Sequence, residues 1–436
     1  MIGVMTATDH VMSTARPARG ETPATLLFLI ADTGGGHRNA ALAVSQALGR
    51  AYPGQFAPVL CDPLAGPGSA RLARLVTSLY GPLTRLAPWL WGAAYHASDS
   101  RAAMWLLRRT LLRLANRPAV AAVRATRPAA IVSFHALAGA AAVRARDRAA
   151  PGAPVVTVVT DLARAHTAWR YPGVDAIAGP PAAARGRGPG RRSGSGPHLV
   201  AAGLPVTRDF WEGPLELGER ATLRRSLALD TDQFLVLLTG GGEGSGGIGR
   251  QVAAILRRCP GVGVIAVCGR NRRLRRRLDR LAARAGGRLT VTGFTPNMAD
   301  WLRCCDVVAG KAGPGTIAEA SCCGTPMLLT SHLPGQESGN AELVAGAGAG
   351  RQVRGVRGLL PEVERLRDDR REAGSRRAAA ARLARPGAAH EIAHLIASLA
   401  HARPRAENVV PATRSEHSHA FAGLAGVVRG AEAGRC

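Results

Sequence analysis

"TLLFLIADTGGGHRNA", residues 25–40, joins a short apolar run to three glycines and a histidine. The run at 25–31 is nearly unbroken, as in a strand buried on both faces. Ala41, Val44 and Leu48 then recur at helical spacing. Strand, glycine turn and helix in that order gather backbone N–H groups around an anion at a helix N-terminus. The chain does this three times, at glycines 34–36, 240–247 and 313–315. Further apolar runs follow in the first half, AAIVSFHA (129–136) and APVVTVVTD (153–161). The second half has FLVLLTGGGEGSGG (234–247), VGVIAVCGR (262–270), RLTVTGF (288–294), CDVVAGKAGPGTIAEA (305–320) and TPMLLTSHLPGQE (325–337). Strands alternating with helices predict an α/β chain with parallel, doubly wound sheets.

The length of 436 residues suits two or three domains, and 46% apolar residues can fill their cores. Basic residues number 57 against 30 acidic ones, a net charge of +27. That excess points to an anionic partner: nucleic acid, anionic lipid or a phosphorylated substrate. Among the basic residues only Lys311 is a lysine. An ammonium kept where every other cation is a guanidinium suggests a point-charge role. Eight cysteines lie scattered without a CxxC pair. They read as reduced core residues rather than zinc ligands or disulfides, and predict a cytoplasmic chain. Residues 1–23 lack an apolar h-region and read as a structureless leader rather than a signal peptide. No run of about 18 apolar residues predicts a transmembrane span.

Each glycine turn offers a chemistry. His37 follows the first, where the positive end of a helix disfavours imidazolium and leaves a neutral ring that can accept a proton. The plainer alternative is a histidine that caps the turn. The second turn contains GxGxxG at Gly242, Gly244 and Gly247, but no Asp or Glu occurs from Gly244 to Leu278. That excludes the acid of a nicotinamide-ribose site and leaves plain phosphate binding. A P-loop is also missing. In the third, KAGPGTIAEA (311–320), Lys311 precedes the turn and Glu319 lies one helical turn past Thr316. There a carboxylate can accept two sugar hydroxyls. PGQE (334–337) follows the next strand, so it reaches the same crevice.

Five blocks carry a family resemblance: DTGGGHRNAA (32–41), VVTVVTDLARAHTAWRYPGVD (155–175), LLTGGGEGSGG (237–247), VTGFTPNMADWLRCCD (291–306) and KAGPGTIAEASCCGTPMLLTSHLPGQESGN (311–340). With the elements between them they resemble, over roughly residues 24–400, the glycolipid-forming branch of glycosyltransferase family 28, the monogalactosyldiacylglycerol synthases and diacylglycerol glucosyltransferases. The resemblance implies a GT-B fold, two Rossmann-like domains facing across a cleft. The acceptor domain would span 24–210 and the nucleotide-sugar domain 211–402, with a structureless tail at 403–436. It implies inverting hexosyl transfer from UDP-galactose or UDP-glucose to diacylglycerol or a related lipid alcohol, with no cofactor and no catalytic metal. By position in the motifs, His37 and Asp161 would be catalytic. Gly35, Gly36, His166 and Trp169 would meet the acceptor. Gly241, Gly242, Ser245, Lys311, Gly315 and Thr316 would hold the diphosphate. Phe294 would cap the uracil, Glu319 would hold the ribose, and Gln336 and Glu337 would read the sugar. The chain departs from the pattern at the Arg/Gly-rich stretch 181–197 and in its all-small turn around Ser245.

Residues 71–117 mix Leu72, Leu75, Leu79, Leu83 and Leu86 with Trp89, Trp91, Trp105 and many arginines, and Pro82 and Pro88 should break the first helix. Apolar side chains rimmed by cations suit an anionic membrane surface, so a peripheral place on the inner face of the cell membrane is expected. A core-facing helix pair is the plainer reading. Two other functions compete: a UDP-sugar epimerase of the same fold acting without lipid, and N-acetylglucosaminyl transfer to a polyprenyl-linked acceptor. Specific nucleic-acid binding is disfavoured, because the arginines are spread evenly and not interleaved with aromatics.

Overall fold

The computed structural model describes residues 22–402 apart from 32–34, 65–82, 85, 111–112, 114, 185–195, 243 and 245. Most of the leader, the core of the 181–197 stretch, the tail and residues 71–82 therefore lie outside the described residues. Among those described, twelve strands form two six-stranded sheets, one in each half of the chain.

The first sheet contains β1 (Ala24–Leu29), β2 (Phe56–Cys61), β3 (Ala130–Ser133), β4 (Val155–Val158), β5 (Ala176–Ala178) and β6 (His198–Val200). Its order is β2-β1-β3-β4-β5-β6 and every pairing is parallel. Leu26, Leu27, Phe28 and Leu29 are all fully buried. Unbroken apolar sequence in β1 thus answers to cover on both faces, as parallel sheets require. Ala41, Val44 and Leu48 point from the helix Gly36–Ala51 into one core with Leu26 and Phe28. Leu27 and Leu29 serve the opposite core with Trp169 and Val123.

The second sheet contains β7 (Phe234–Thr239), β8 (Val262–Val267), β9 (Leu289–Thr292), β10 (Val307–Lys311), β11 (Met327–Ser331) and β12 (Gly350–Gln352). It runs β12-β11-β10-β7-β8-β9, again all parallel. The strand order reverses between β1 and β3 in one sheet and between β7 and β10 in the other. Ligand sites of open α/β sheets lie at such reversals, beyond the carboxyl ends of the strands. Here those ends carry all three glycine turns.

One helix departs from the expected division of the chain. Ala388–His401 follows the second half in sequence, yet Ile392, Leu395 and Ile396 pack with Leu26, Val44 and Val132 of the first. Its Ala-rich face, including Ala389, Ala393, Ala397 and Ala400, allows close approach to the helix Gly36–Ala51. This returning helix ties the end of the described chain to the first sheet.

Candidate active site

His37 sits in the first turn of its helix, after Gly35 at φ +86°, a left-handed conformation that favours glycine. The residue is partly exposed. Nδ1 lies 3.0 Å from Thr160 Oγ1, beyond the end of β4. The ring meets His135 edge-on at 4.7 Å between centroids, and Trp169 at 6.4 Å. Burial pulls His37 down to about 4, against the Phe134 carbonyl and the Asp62 charge, which pull upward. The ring is therefore neutral at pH 7, as the sequence suggests. Desolvation is the larger cause, however, rather than the helix terminus. His135 is buried and also held well below the usual histidine range, with His37 as a second cause.

Asp161 is 3% exposed. Its Oδ2 accepts from Trp169 Nε1 at 2.6 Å, and its Oδ1 from Gln336 Nε2 at 3.4 Å. Burial pushes its carboxyl up to about 6; the bonds from Trp169, Gln336 and the His166 backbone oppose this, and the Glu337 charge adds to it. Asp161 and Gln336 come from different halves of the chain, 175 residues apart. Ala163 N donates to Asn340 Oδ1 at 3.2 Å beside them. Asn340 Nδ2 in turn donates to the Ala312 carbonyl at 2.8 Å, linking this contact to the third glycine turn.

Lys311 ends β10, and its Nζ lies 2.7 Å from Glu337 Oε1. Glu337 is 4% exposed and its Oε2 accepts from Leu333 N at 2.7 Å. A Cβ on Gly313 would lie within 4.0 Å of Lys311 Cε, Glu337 Oε1 and Thr316 Oγ1, so these groups converge on that turn. Around Gly315, and around Gly241 in the second turn, the space is open. Both turns open helices, Ile248–Arg258 and Pro314–Cys322, whose first N–H groups have no intrahelical partner. Gly244 is obligatory: a Cβ there would lie 2.1 Å from the Cys268 carbonyl oxygen. Ser245 lies outside the described residues. Glu319 has no partner for its carboxylate among the described residues, and burial pushes it up to about 7. Phe294 is 66% exposed, with the Arg270 guanidinium 5.3 Å from its ring centroid.

His166 is engaged wholly within the protein. Nδ1 accepts from Ala168 N at 3.0 Å, while Nε2 lies 3.2 Å from the Tyr95 carbonyl and 3.3 Å from Ser98 Oγ. It braces the helix Pro88–Ser98, and no ring nitrogen remains for an acceptor. Four neighbours of the site go unmarked in the sequence reading: His135, Thr160, Arg270 and Tyr95. Three of them stand at or just past the carboxyl ends of β3, β4 and β8, a position that could have flagged them. Tyr95 carries no such signal. Among the described residues no group of three or more His, Cys, Asp or Glu is placed to hold a metal ion.

Two parallel sheets, whose carboxyl-end loops join a neutral histidine to glycine turns and a lone ammonium, define a two-lobed glycosyltransferase of the GT-B type. The solved structure of Acinetobacter baumannii MurG shares that fold, at TM-score 0.55 and 16% identity over 86% of this chain and all of that one. The family described as monogalactosyldiacylglycerol (MGDG) synthase matches residues 37–181, and the glycosyltransferase family 28 C-terminal domain matches 235–384. The probable monogalactosyldiacylglycerol synthase 2 of Oryza sativa subsp. indica is 32% identical over 74% of this chain and 70% of its own length. Monogalactosyldiacylglycerol synthase 3 of Arabidopsis thaliana is 30% identical over 75% and 70%. The chain belongs to the monogalactosyldiacylglycerol synthase family and is a UDP-sugar-dependent glycosyltransferase. Both plant relatives are named chloroplastic, which overturns the expectation of a cytoplasmic place on the inner face of the cell membrane. The described cysteines are indeed unpaired, but reduced thiols suit any reducing compartment and carry no address. No helix among the described residues is long and apolar enough to cross a membrane.

Proposed function

We propose that the protein transfers a hexose from UDP-galactose or UDP-glucose to diacylglycerol, with inversion at the anomeric carbon and without a catalytic metal. The observation that carries this reading is the bond between Asp161 on one half and Gln336 on the other, with Trp169 joining Asp161 to the His37 ring and Glu337 pairing with Lys311. His37 takes the proton of the acceptor hydroxyl as its oxygen attacks the anomeric carbon opposite the leaving UDP. A ring held near 4 is a weak base but is always free to accept. Positive charge developing at the anomeric carbon acidifies the attacking hydroxyl and offsets that weakness. The bond from carbon to diphosphate breaks, and the N–H groups of the turns at Gly241–Gly242 and Gly315–Thr316 receive the charge together with Lys311. Glu319 accepts from the ribose hydroxyls, Phe294 stacks on uracil, and Gln336 and Glu337 meet the sugar hydroxyls.

A lipid acceptor requires a lipid-facing surface. Leu86, Trp89 and Trp105 are 84, 70 and 55% exposed, with Leu90 and Leu106 also exposed. Arg109 stacks on Trp105 at 4.5 Å, and Arg101 is exposed nearby. The helix Arg101–Arg109 reaches the acceptor motif through Met104, which packs on Ala168. This patch docks on an anionic bilayer. Incubation with labelled UDP-galactose or UDP-glucose and diacylglycerol vesicles tests the reading. A chloroform-soluble β-hexoside is expected; no lipid product from either donor, or an α-linked one, refutes it.

A further inference from the structure

The helix Pro88–Ser98 has two faces with different neighbours. Its outer face presents Trp89 and Leu90 to solvent, while Gly92 and Tyr95 are buried. The inner face presses on the loop that carries Gln336 and Glu337. A Cβ on Gly92 would lie 2.7 Å from Pro334 Cβ. A Cβ on Gly335, whose φ is +81°, would lie 2.6 Å from Tyr95 Cδ1 and 2.8 Å from Cγ. Two glycines, one on each side, thus permit a contact that any larger residue would prise apart.

Gly335 N donates to Ser338 Oγ at 2.9 Å and Glu337 N to the Leu333 carbonyl at 3.0 Å, both within the loop itself. Its far end is fixed to the first half by Asp161–Gln336 and Ala163–Asn340. The Tyr95 ring is fixed in turn by His166, 4.6 Å away, and its hydroxyl is buried without a partner among the described residues. The ring, not the hydroxyl, therefore does the positioning.

We propose that Gly92 and Tyr95 are positioning residues for the sugar-reading loop, so that the helix bearing the exposed apolar face also sets the seat of the donor hexose. This rests on the proposed role of Gln336 and Glu337. A methyl group at Gly92 has to displace Pro334 by about 1 Å, a misplacement that costs on the order of a hundredfold where it falls on reacting geometry. On this assignment the loop meets the hexose, which UDP lacks, through Gln336 and Glu337.

The test is equilibrium binding of UDP-galactose, UDP-glucose and UDP to the full chain, with no lipid present. Gly92→Ala and Tyr95→Ala, one enlarging the wedge and the other removing it, are expected to weaken both UDP-hexoses by about tenfold while UDP stays within about twofold. Tyr95→Phe keeps the ring and is expected to bind all three as the parent does. A uniform loss for UDP and UDP-hexose, unchanged UDP-hexose binding in either alanine variant, or a Tyr95→Phe as weak as Tyr95→Ala overturns the proposal. If one alanine variant does not fold, the other decides. A parent chain that binds neither UDP-hexose refutes the donor assignment instead, so the two failures are distinguishable.

Discussion

Replacing Glu319 by glutamine should strengthen the free enzyme and weaken its donor binding. Burial raises this carboxyl to about 7 from 4.5, with no donor on its oxygens among the described residues. A folded-state pKa above the unfolded one means the native state favours the protonated form. Below pH 4.5 the group is protonated in both states and nothing is lost. As pH rises to 7 the folded state alone resists ionisation, and above 7 the whole penalty is present. A shift of that size corresponds to about 3 kcal/mol. The side chain is partly accessible in the structure, so solvent screening reduces this to about 1–2 kcal/mol. Glu319→Gln should therefore be about 1–2 kcal/mol more stable than the parent at pH 8 and equal to it near pH 4.5. Urea unfolding at the two pH values measures the difference. If Glu319 holds the ribose as proposed, the same substitution removes a charged acceptor for two hydroxyls, and UDP affinity by calorimetry should fall by about 1–3 kcal/mol, or roughly 5- to 150-fold. A stability gain that ignores pH, or unchanged UDP affinity, would show that Glu319 is an ordinary helix residue.

Three other outcomes are expected. His37→Ala should abolish transfer while leaving the Kd for UDP within about twofold, since the base acts on the acceptor; a large loss of UDP affinity would move His37 to the donor site. In the parent, kcat/KM should fall on the acid side with a midpoint near 6, where Asp161 becomes protonated, and not near 4, where His37 does. That limb should vanish in Asp161→Asn; a limb unaltered by the substitution would assign the titration elsewhere. The double variant Trp89→Glu/Trp105→Glu should lose sedimentation with anionic vesicles while binding UDP normally, and vesicle binding equal to the parent's would remove the docking surface.

The long parallel strands are legible because burial on both faces writes itself as unbroken apolar sequence. TLLFLIA, FLVLLTG and VGVIAVC match β1, β7 and β8 closely. Short and edge strands are not. β5, β6 and β12 have three residues each, too few to show a period, and β2 carries Pro58, which suits only an edge. The candidate base His37 is legible through its glycine turn, but the burial that chiefly lowers its pKa is not. His166 looked like a substrate ligand because motif position does not reveal that both ring nitrogens are already occupied.

Local chemistry along the chain was enough to establish the strand–glycine–helix units and the solitary ammonium, since each depends on neighbours a few residues away. Tertiary structure alone decided the Asp161–Gln336 bridge, the return of the helix Ala388–His401 to the first sheet, and the wedge of Gly92 and Tyr95 against Pro334 and Gly335. Those contacts join residues more than 170 positions apart, and no periodicity or spacing within one segment records which distant surface it will meet.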